Sequence, residues 1–345
     1  MEQTGLADNV KLVVKENVLA IFCDSSLKTI SSAFYNGGAK QVKAVLNVGV
    51  PEGYNDLSLH LDPLELITSS AAKVGLTKDY LAMVTAAKIK NYSLASKKAT
   101  DFSVSVIATA GCSHGESSGE EMNVQEIVGT INIIVLIDGN PSESCMVAAL
   151  ITATEAKSAV LRDFDVRSRY TGDSATGSIT DSVTIASSCQ GKTLSLGGPA
   201  SKLGKLVGYC ARKAVTEALL NQEPVWACRS VLDRLNERHL SVEKLAAEIS
   251  KVEGLALDAE GLSGILKKNP FALVCLLAAA KIDDDYKKNL LPTDFADWIE
   301  ISKCFGACSQ NKLECTNTPD YEFVDLPPFL KHALINIVKN TQFER

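Results

Sequence analysis

The chain has 345 residues and a formal net charge of −6, and 46% of its residues are hydrophobic against 22% that are charged. This composition is typical of a globular protein with a substantial core, and the acidic balance argues against a nucleic-acid-binding role. The start of the chain lacks the basic and apolar regions of a secretory signal, and no apolar run approaches the roughly 20 residues that span a bilayer. We therefore expect a cytoplasmic protein with neither nucleic-acid nor membrane partners.

Ten cysteines are scattered along the sequence. Without a secretory signal they are expected to be reduced thiols rather than a disulfide framework. Cys304, Cys308 and Cys315 have a spacing that could hold a metal or an iron–sulfur centre. They lack a fourth ligand nearby, so structural or unligated thiols are the favoured interpretation.

The first third of the sequence alternates strand-like runs with turns. Strands are predicted at Val10–Val14 and Val18–Cys23, as a hairpin, and then at Val42–Val48, Leu81–Ala87 and Phe102–Ala110. Asp62 and Pro63 predict the start of a helix that runs to about Lys73. The run Asn36, Gly37, Gly38 permits positive φ and close approach of a ligand to the backbone, so these three residues are candidates for substrate binding.

The central stretch carries the clearest patterns. The apolar, β-branched run Gly129–Asp138 predicts a buried strand. Ser142 is in place for an N-cap, and apolar residues at helical spacing predict a long amphipathic helix over Ser144–Arg162. A second strand is predicted over Ala175–Ser187, entered through a turn rich in hydroxyl side chains.

The last third has a different character. A long helix is predicted over Ser201–Gln222, and the Glu223-Pro224 pair then breaks the pattern. Every later element is predicted to be a helix: Val225–Glu237, Val242–Val252, Leu262–Lys268, Phe271–Lys281, Phe295–Phe305 and Phe329–Lys339. We therefore predict a catalytic domain over residues 1–222 and a helical accessory domain of unknown role over residues 223–345.

The predicted fold class is α+β. Both hairpins and helices separate the strands of the first domain, which argues against a purely parallel, doubly wound sheet. We expect a mixed β-sheet packed with the long helices, followed by the α-helical C-terminal domain.

Three motifs, in this order, resemble the adenosylcobinamide amidohydrolase family: Gly129–Ile134, Ala149–Lys157, and Ala175–Gly177 with Thr180–Asp181. Earlier stretches are similar too, namely Ser31–Gly38, Val84–Ala87 and Ala108–Gly111. The resemblance covers about residues 10–220. It implies a hydrolase of corrinoid salvage that cuts the amide joining the aminopropanol arm of adenosylcobinamide to the ring. The implied products are adenosylcobyric acid and 1-aminopropan-2-ol. The cobalt arrives with the substrate, so no cofactor is expected, and a metal requirement stays open.

Amide hydrolysis needs an activated nucleophile, donors for the oxyanion and an acid for the leaving amine. Thr130 is the candidate nucleophile, and Asn132, on the same face of the predicted strand, is the candidate oxyanion donor. His114 and Asp181 are the candidates for moving protons, and His114 also suits a metal ligand. The structural alternatives are a solvated loop histidine and polar side chains that only bond the neighbouring backbone.

The candidate substrate-binding residues are Asn36, Gly37, Gly38, Glu155, Lys157, Thr176, Gly177 and Thr180. For Glu155 and Lys157, a solvated helix face is the ordinary alternative. The loops at 36–38, 111–116 and 176–181 each follow or enter a predicted strand, so we expect them to converge on one cleft.

Two other functions stay open. The first is a non-catalytic corrinoid-binding protein, but carriers that ligate cobalt through histidine use Asp-x-His-x-x-Gly, and none of the four histidines has an aspartate two residues before it. The second is an amidohydrolase or acyltransferase that acts on a different amide. A homo-oligomer is also left open.

Overall fold

The computed structural model describes residues 2–51, 62–112, 115–121, 129–292, 298–305 and 319–343. The chain divides into two compact units, Met1–Tyr170 with Ser174–Cys228, and Thr171–Asp173 with Arg229–Arg345. The predicted boundary after Gln222 falls at the end of a helix, shortly before this division.

The first unit contains both long strands and long helices. The strands of its nine-stranded sheet are β1 (Glu2–Ala7), β2 (Val10–Lys15), β3 (Val18–Ser31), β4 (Gly38–Gly49), β5 (Tyr80–Thr85), β6 (Ser93–Lys98), β7 (Ser103–Gly111), β8 (Thr130–Asp138) and β10 (Ser182–Ser187). The short strands β9 (Asn140–Pro141) and β11 (Thr193–Leu194) form a separate pair. The helices are α1 (Leu64–Lys73), α2 (Glu143–Asp163) and α3 (Lys202–Gln222).

The sheet is mixed and curled. Its strand order is β1-β2-β3-β10-β8-β7-β6, with β4 paired to β3 and β5 paired to β4. The pairs β10–β8 and β4–β5 are parallel, and the other pairs of this sheet are antiparallel. Although β5 and β8 are not neighbours in this order, the Asn132 side chain on β8 reaches the Val84 carbonyl on β5. The predicted α+β class and the mixed sheet are confirmed.

Strand β8 is buried on both faces, which explains its continuous apolar run. On one face Ile131, Ile133 and Val135 join a core that includes residues of α2 and α3. On the other face Ile134 and Leu136 pack in a core with residues of β3, β4 and β5. The buried polar residues of the strand, Thr130 and Asn132, come at its beginning, so β8 carries polar groups into an otherwise apolar interior.

Helix α2 is long and apolar enough to pass as a membrane span by composition, but half of that window is buried within the protein. Its side chains Cys145, Met146 and Ala149 belong to the core that also contains β8 residues. The Ser142 hydroxyl accepts a hydrogen bond from the Cys145 N–H and caps the helix, as predicted. A core helix of a globular unit has these properties.

The structure corrects the predicted strand Ala175–Ser187, because β10 begins only at Ser182. The Asp181 carboxylate accepts the backbone N–H of Ser178, which holds the preceding residues in a turn. Strands β1 and β6 are not predicted, because polar residues and a glycine dilute the apolar pattern of β1, and serines and lysines that of β6. The predicted helix after Asp62 begins at Leu64.

The described part of the second unit contains helices and no strand. The helices are α4 (Val231–Asn236), α5 (Val242–Ile249), α6 (Ala259–Lys268), α7 (Pro270–Lys287), α8 (Trp298–Lys303) and α9 (Pro328–Phe343). The predicted helix Val225–Glu237 is interrupted, because Ser230 forms a capping box with Asp233 and begins α4 anew. The unit has its own apolar core, to which α5, α7 and α9 contribute.

Two buried titratable groups lie in this helical core. The Asp283 carboxylate accepts the backbone N–H groups of Phe329 and Leu330 at the beginning of α9. Burial nevertheless raises the pKa of Asp283 to about 6. The His332 ring is fully buried, and neither ring nitrogen has a hydrogen-bond partner among the described residues. Burial, with a smaller effect of Lys331, lowers the pKa of His332 to about 4.

Acid should therefore destabilise the helical unit through His332. Between about pH 6.5 and 4 the unfolded chain binds a proton at this histidine that the folded chain does not, so stability falls as pH falls, by on the order of 3 kcal/mol. When the pH is lowered from 7.5 to 5, we expect the melting temperature of His332→Leu to fall less than that of the wild type.

Asp283→Asn is the opposing control. The raised pKa of Asp283 means that the folded chain binds the extra proton between about pH 4 and 6, which partly offsets the histidine. The melting temperature of Asp283→Asn, measured by thermal unfolding, should therefore fall more steeply with decreasing pH than that of the wild type. Equal losses in the wild type and His332→Leu would contradict the assignment.

Candidate active site

Three strand ends of the first unit meet at one edge of the sheet. The pairing register places Gly111, at the end of β7, opposite Thr130, at the beginning of β8. It also places Ser182, at the beginning of β10, opposite Asn132. The Glu116 N–H donates to the Gly177 carbonyl at 2.9 Å, so the loop after β7 lies against the loop before β10. Two of the three loops predicted to converge are therefore in contact.

The buried ion pair between Lys157 and Asp181 lies at this edge. The two side chains are only 9% and 10% exposed. The Asp181 carboxylate also accepts the Ile131 N–H at 2.9 Å and the Ser178 N–H at 3.0 Å. One carboxylate thus connects α2, the beginning of β8 and the loop before β10. Two residues that the sequence analysis assigned to separate roles, substrate binding and proton transfer, are direct partners.

Gly177 packs on this ion pair. A Cβ at this position would lie 2.5 Å from the Asp181 Oδ2 atom and 2.7 Å from the Lys157 Nζ atom. Any side chain would therefore push the pair apart. The prediction gave this glycine a place in substrate binding, whereas the contact that requires its missing side chain is with the ion pair.

Thr130 and Thr180 form a hydroxyl pair. Their Oγ1 atoms are 2.7 Å apart, and both lie within hydrogen-bonding distance of the Gly129 carbonyl oxygen, at 2.8 Å for Thr130 and 3.2 Å for Thr180. The Ala86 N–H lies 3.4 Å from the Thr130 Oγ1 atom. Thr130, the candidate nucleophile, thus lies at a strand end among hydrogen-bonding groups. Thr180, predicted to bind substrate, is its neighbour.

Asn132, the predicted oxyanion donor, is bonded to neighbouring strands through its side-chain amide. Both hydrogens of its side-chain amide are engaged, one by the Asn47 Oδ1 atom at 2.8 Å and one by the Val84 carbonyl at 2.9 Å. Its Oδ1 atom is buried without a hydrogen-bond partner among the described residues. The side chain therefore has no free donor for an oxyanion, and instead it links β8 to β4 and β5.

A cavity of about 220 Å³ opens beside the hydroxyl pair. Its lining combines apolar groups with hydroxyls and one carboxylate, from Ser32, Phe34, Pro63, Met83, Val84, Thr180, Asp181 and Ser182. Ser32, Phe34 and Met83 are not among the predicted site residues. Ser32 and Phe34 lie within Ser31–Gly38, a stretch that carries part of the family resemblance. That resemblance is the feature of the sequence from which they could have been predicted.

The turn at residues 36–38 does not line this cavity. Asn36 has a φ of 54° and donates its side-chain N–H to the Tyr80 carbonyl at 2.8 Å. A Cβ on Gly37 would collide with the Ala33 carbonyl oxygen. Gly38 has a φ of 79°. These residues shape the turn that follows Ser32 and Phe34, and the Asn36 side-chain amide of this turn bonds to the protein itself.

The remaining predicted residues are dispersed. Glu155 is exposed on α2, as the solvated-face alternative expects. The Thr176 hydroxyl accepts the Ser118 N–H at 3.0 Å. His114 lies outside the described residues, as do Cys308 and Cys315. Cys304 is disulfide-bonded, which differs from the expectation of reduced thiols throughout. Within the described ranges, no group of three or more His, Cys, Asp or Glu side chains could hold a metal ion.

Two further buried groups lie close to this edge. Burial raises the pKa of the Glu116 carboxyl, and the Arg169 guanidinium, with its Nε atom 3.3 Å away, offsets part of this effect. Burial, followed by the charges of Asp181 and Glu223, raises the pKa of the Cys112 thiol. Cys112 is therefore held as an unreactive thiol and is a poor candidate for a nucleophile.

Comparison with known families decides the assignment. The family model for adenosylcobinamide amidohydrolase matches residues 3–226, which cover most of the chain. The chain belongs to the adenosylcobinamide amidohydrolase family. Members of this family are hydrolases that act on an amide carbon–nitrogen bond, and membership implies a corrinoid substrate.

Two curated relatives are similar to this chain, and one of them has the name of the family. An adenosylcobinamide amidohydrolase of Methanosarcina mazei is 30% identical over 212 residues, which cover 60% of this chain and 92% of that protein. An uncharacterised protein of Methanocaldococcus jannaschii is 26% identical over 209 residues, which cover 54% of this chain and 81% of that protein.

A solved structure, the L-aminopeptidase D-Ala-esterase/amidase of Ochrobactrum anthropi, aligns with a TM-score of 0.30 at 8% identity. The alignment covers 62% of this chain and 83% of that one. A similarity of that size supports no conclusion about this chain.

The ion pair yields a prediction on stability. Lys157→Met should leave the Asp181 carboxylate buried without its cation, at a cost of about 3–5 kcal/mol in the free energy of unfolding. Lys213→Met is the matched control on α3, because Lys213 makes an exposed ion pair with Glu217 at 3.7 Å. That change should cost less than about 0.5 kcal/mol. Urea unfolding measures both, and equal costs would contradict the role given to the buried pair.

Proposed function

We propose that the protein hydrolyses the amide between the aminopropanol arm and the corrin ring of adenosylcobinamide. The products are adenosylcobyric acid and 1-aminopropan-2-ol, which return the corrinoid to cobalamin synthesis. The observation that carries the proposal is the Thr130–Thr180 hydroxyl pair, which joins two family motifs beside the cavity that Thr180 lines. The name of the Methanosarcina mazei relative supports the same substrate.

The cavity suits the arm of this substrate better than its ring. Its volume of about 220 Å³ admits a three-carbon amino alcohol and excludes a corrin macrocycle, which therefore stays outside. Phe34, Met83 and Val84 supply apolar contact for the carbon chain. The hydroxyls of Ser32 and Ser182, which lie 3.2 Å apart, supply partners for the alcohol and the amide.

In the proposed reaction the Thr130 oxygen bonds to the amide carbon, and Thr180 positions the hydroxyl from the cavity wall. The carbon–nitrogen bond then breaks, and 1-aminopropan-2-ol leaves with the hydroxyl proton on its nitrogen. Water hydrolyses the ester on Thr130, which frees adenosylcobyric acid and restores the hydroxyl. Asp181 is a positioning residue, because its carboxylate is already held by Lys157 and by two backbone N–H groups. His114 stays a candidate base. The Ala86 N–H donates to the Thr130 Oγ1 atom at 3.4 Å.

The direct test measures release of 1-aminopropan-2-ol from adenosylcobinamide by the purified protein. Thr130→Val keeps the shape of the side chain and removes the hydroxyl, so turnover should fall by about 1000-fold or more. The matched control is Thr100→Val, in the exposed turn before β7, which should leave turnover unchanged. A wild-type protein that releases no 1-aminopropan-2-ol would contradict the proposal. Full release by Thr130→Val would show that Thr130 is not the nucleophile.

The helical unit should be dispensable for this reaction, because the family match ends at residue 226. A chain that ends at Cys228 keeps Glu223, whose carboxylate accepts the Cys112 N–H at 3.2 Å and the Trp226 Nε1–H at 2.6 Å. We expect this chain to retain hydrolysis.

A chain that ends at Gln222 loses those contacts and is the sensitive comparison. It should unfold at a lower temperature than the chain that ends at Cys228. A folded but inactive chain ending at Cys228 would show that the helices contribute to the reaction.

A further inference from the structure

We propose that the protein cleaves its own chain between Gly129 and Thr130, and that the freed α-amine of Thr130 then activates the Thr130 hydroxyl. The cleavage is a reaction of the chain alone and does not depend on the corrinoid. The use of the amine as a base rests on the proposed function.

The first observation is that the Thr130 hydroxyl lies against the carbonyl of its own preceding residue. The distance from its Oγ1 atom to the Gly129 carbonyl oxygen is 2.8 Å. Attack on the carbonyl carbon of Gly129 would close a ring of five atoms, namely Oγ1, Cβ, Cα and N of Thr130 with that carbon. Such a ring needs no rearrangement of distant groups, so the nucleophile is held close to the bond it would break.

The second observation is that the same carbonyl receives another donor. The Thr180 Oγ1 atom lies 3.2 Å from the Gly129 carbonyl oxygen and 2.7 Å from the Thr130 Oγ1 atom. Thr180 can therefore polarise the carbonyl, stabilise the charge that develops on its oxygen, and pass a proton to or from the attacking hydroxyl. Thr130 is only 1% exposed, so water competes little for these contacts.

The third observation concerns the residue on the acyl side of the bond. Gly129 has a φ of +111°, a conformation that residues with a side chain rarely adopt. This conformation turns its carbonyl toward the two hydroxyls, and no Cβ shields the carbon from attack.

The strand after the bond is held independently of the bond. The Ile131 N–H donates to the Asp181 carboxylate at 2.9 Å, and β8 is hydrogen-bonded to β7 on one side and to β10 on the other. Thr130 should therefore stay in place when the peptide bond before it is cut. The new terminus would lie beside the cavity that Thr180 lines.

The reaction needs only water. The Thr130 oxygen bonds to the Gly129 carbonyl carbon, and its proton goes, through Thr180, to the Thr130 nitrogen as the carbon–nitrogen bond breaks. An ester now joins the Gly129 acyl group to the Thr130 oxygen. Water hydrolyses this ester, leaving a carboxylate on Gly129 and returning the hydroxyl to Thr130. The products are the chains 1–129 and 130–345, with a free amine on Thr130.

The cleavage supplies a base next to the Thr130 hydroxyl, where the described residues provide none. In the part of the chain that the structure describes, the partners of the Thr130 hydroxyl are a carbonyl, a hydroxyl and a backbone N–H. None of them accepts a proton near neutral pH. An α-amine has an ordinary pKa of about 7.7–8.0, which suits a general base at that pH, and a threonine at a chain terminus can use its own amine in this way.

The test is the mass of the full-length protein, followed over time after purification at neutral pH. The intact chain of 36.9 kDa should give way to two fragments, and sequencing of the larger one should begin Thr130, Ile131, Asn132. Thr130→Val should stay intact, whereas Thr130→Ser keeps the hydroxyl and should still be cut. Thr180→Val should slow cleavage by on the order of 10-fold, as the loss of one hydrogen-bond donor predicts.

Two results would overturn the proposal. One is a wild-type chain that stays whole through prolonged incubation, in which case the Thr130 contact is only a local hydrogen bond to the backbone. The other is cleavage that persists in Thr130→Val with an unchanged melting temperature, which would identify a contaminating protease.

The aminopropanol assay keeps the two proposals apart. A whole chain that hydrolyses adenosylcobinamide would remove self-cleavage and retain the proposed function. A cleaved chain that releases no aminopropanol would support self-cleavage and contradict the proposed function.

Discussion

The candidate site depends on the buried ion pair between Lys157 and Asp181. Two opposite charges that are about nine-tenths buried persist only when each satisfies the other and the remaining lone pairs are hydrogen-bonded. Asp181 meets this condition by accepting backbone N–H groups from β8 and from the turn before β10. The position of Thr130, one residue before Ile131, is therefore fixed by a carboxylate that does not itself contact the Thr130 hydroxyl.

A second set of polar groups lies within the curled sheet and explains why the sheet closes as it does. Asn132 donates to Asn47 and to a backbone carbonyl of β5, and Asn47 donates to the Thr109 hydroxyl at 2.8 Å. Buried amides of this kind must find partners, so they favour one arrangement of β4 and β5 against β8 over other compact alternatives. The apolar contacts deeper in the same interior are less selective.

Local sequence patterns predicted the elements whose signal is strong within one segment. The strand at Gly129–Asp138, the long helix after Ser142 and the helical character of the last third are examples, since periodicity and caps are local properties. The roles of Asn132, Gly177 and Lys157 were not predictable in this way. Asn132 meets Asn47, 85 residues away, and helical spacing alone does not say that Lys157 turns inward while Glu155 stays exposed. The pattern of residues 175–181 predicts a strand, whereas the bonds that hold them in a turn come from the Asp181 side chain and from the backbone of Glu116, which is distant in sequence.

In the proposed reaction the amide of the corrinoid is cut at the Thr130–Thr180 hydroxyl pair. The decisive experiment is the structure of Thr130→Val with adenosylcobinamide bound, because the variant keeps the shape of the site and stops turnover. We expect the aminopropanol arm in the cavity lined by Phe34 and Met83, with its amide carbon next to residue 130. An arm bound at another edge of the sheet, or a ring that fills this cavity instead, would show that the amide is cut elsewhere.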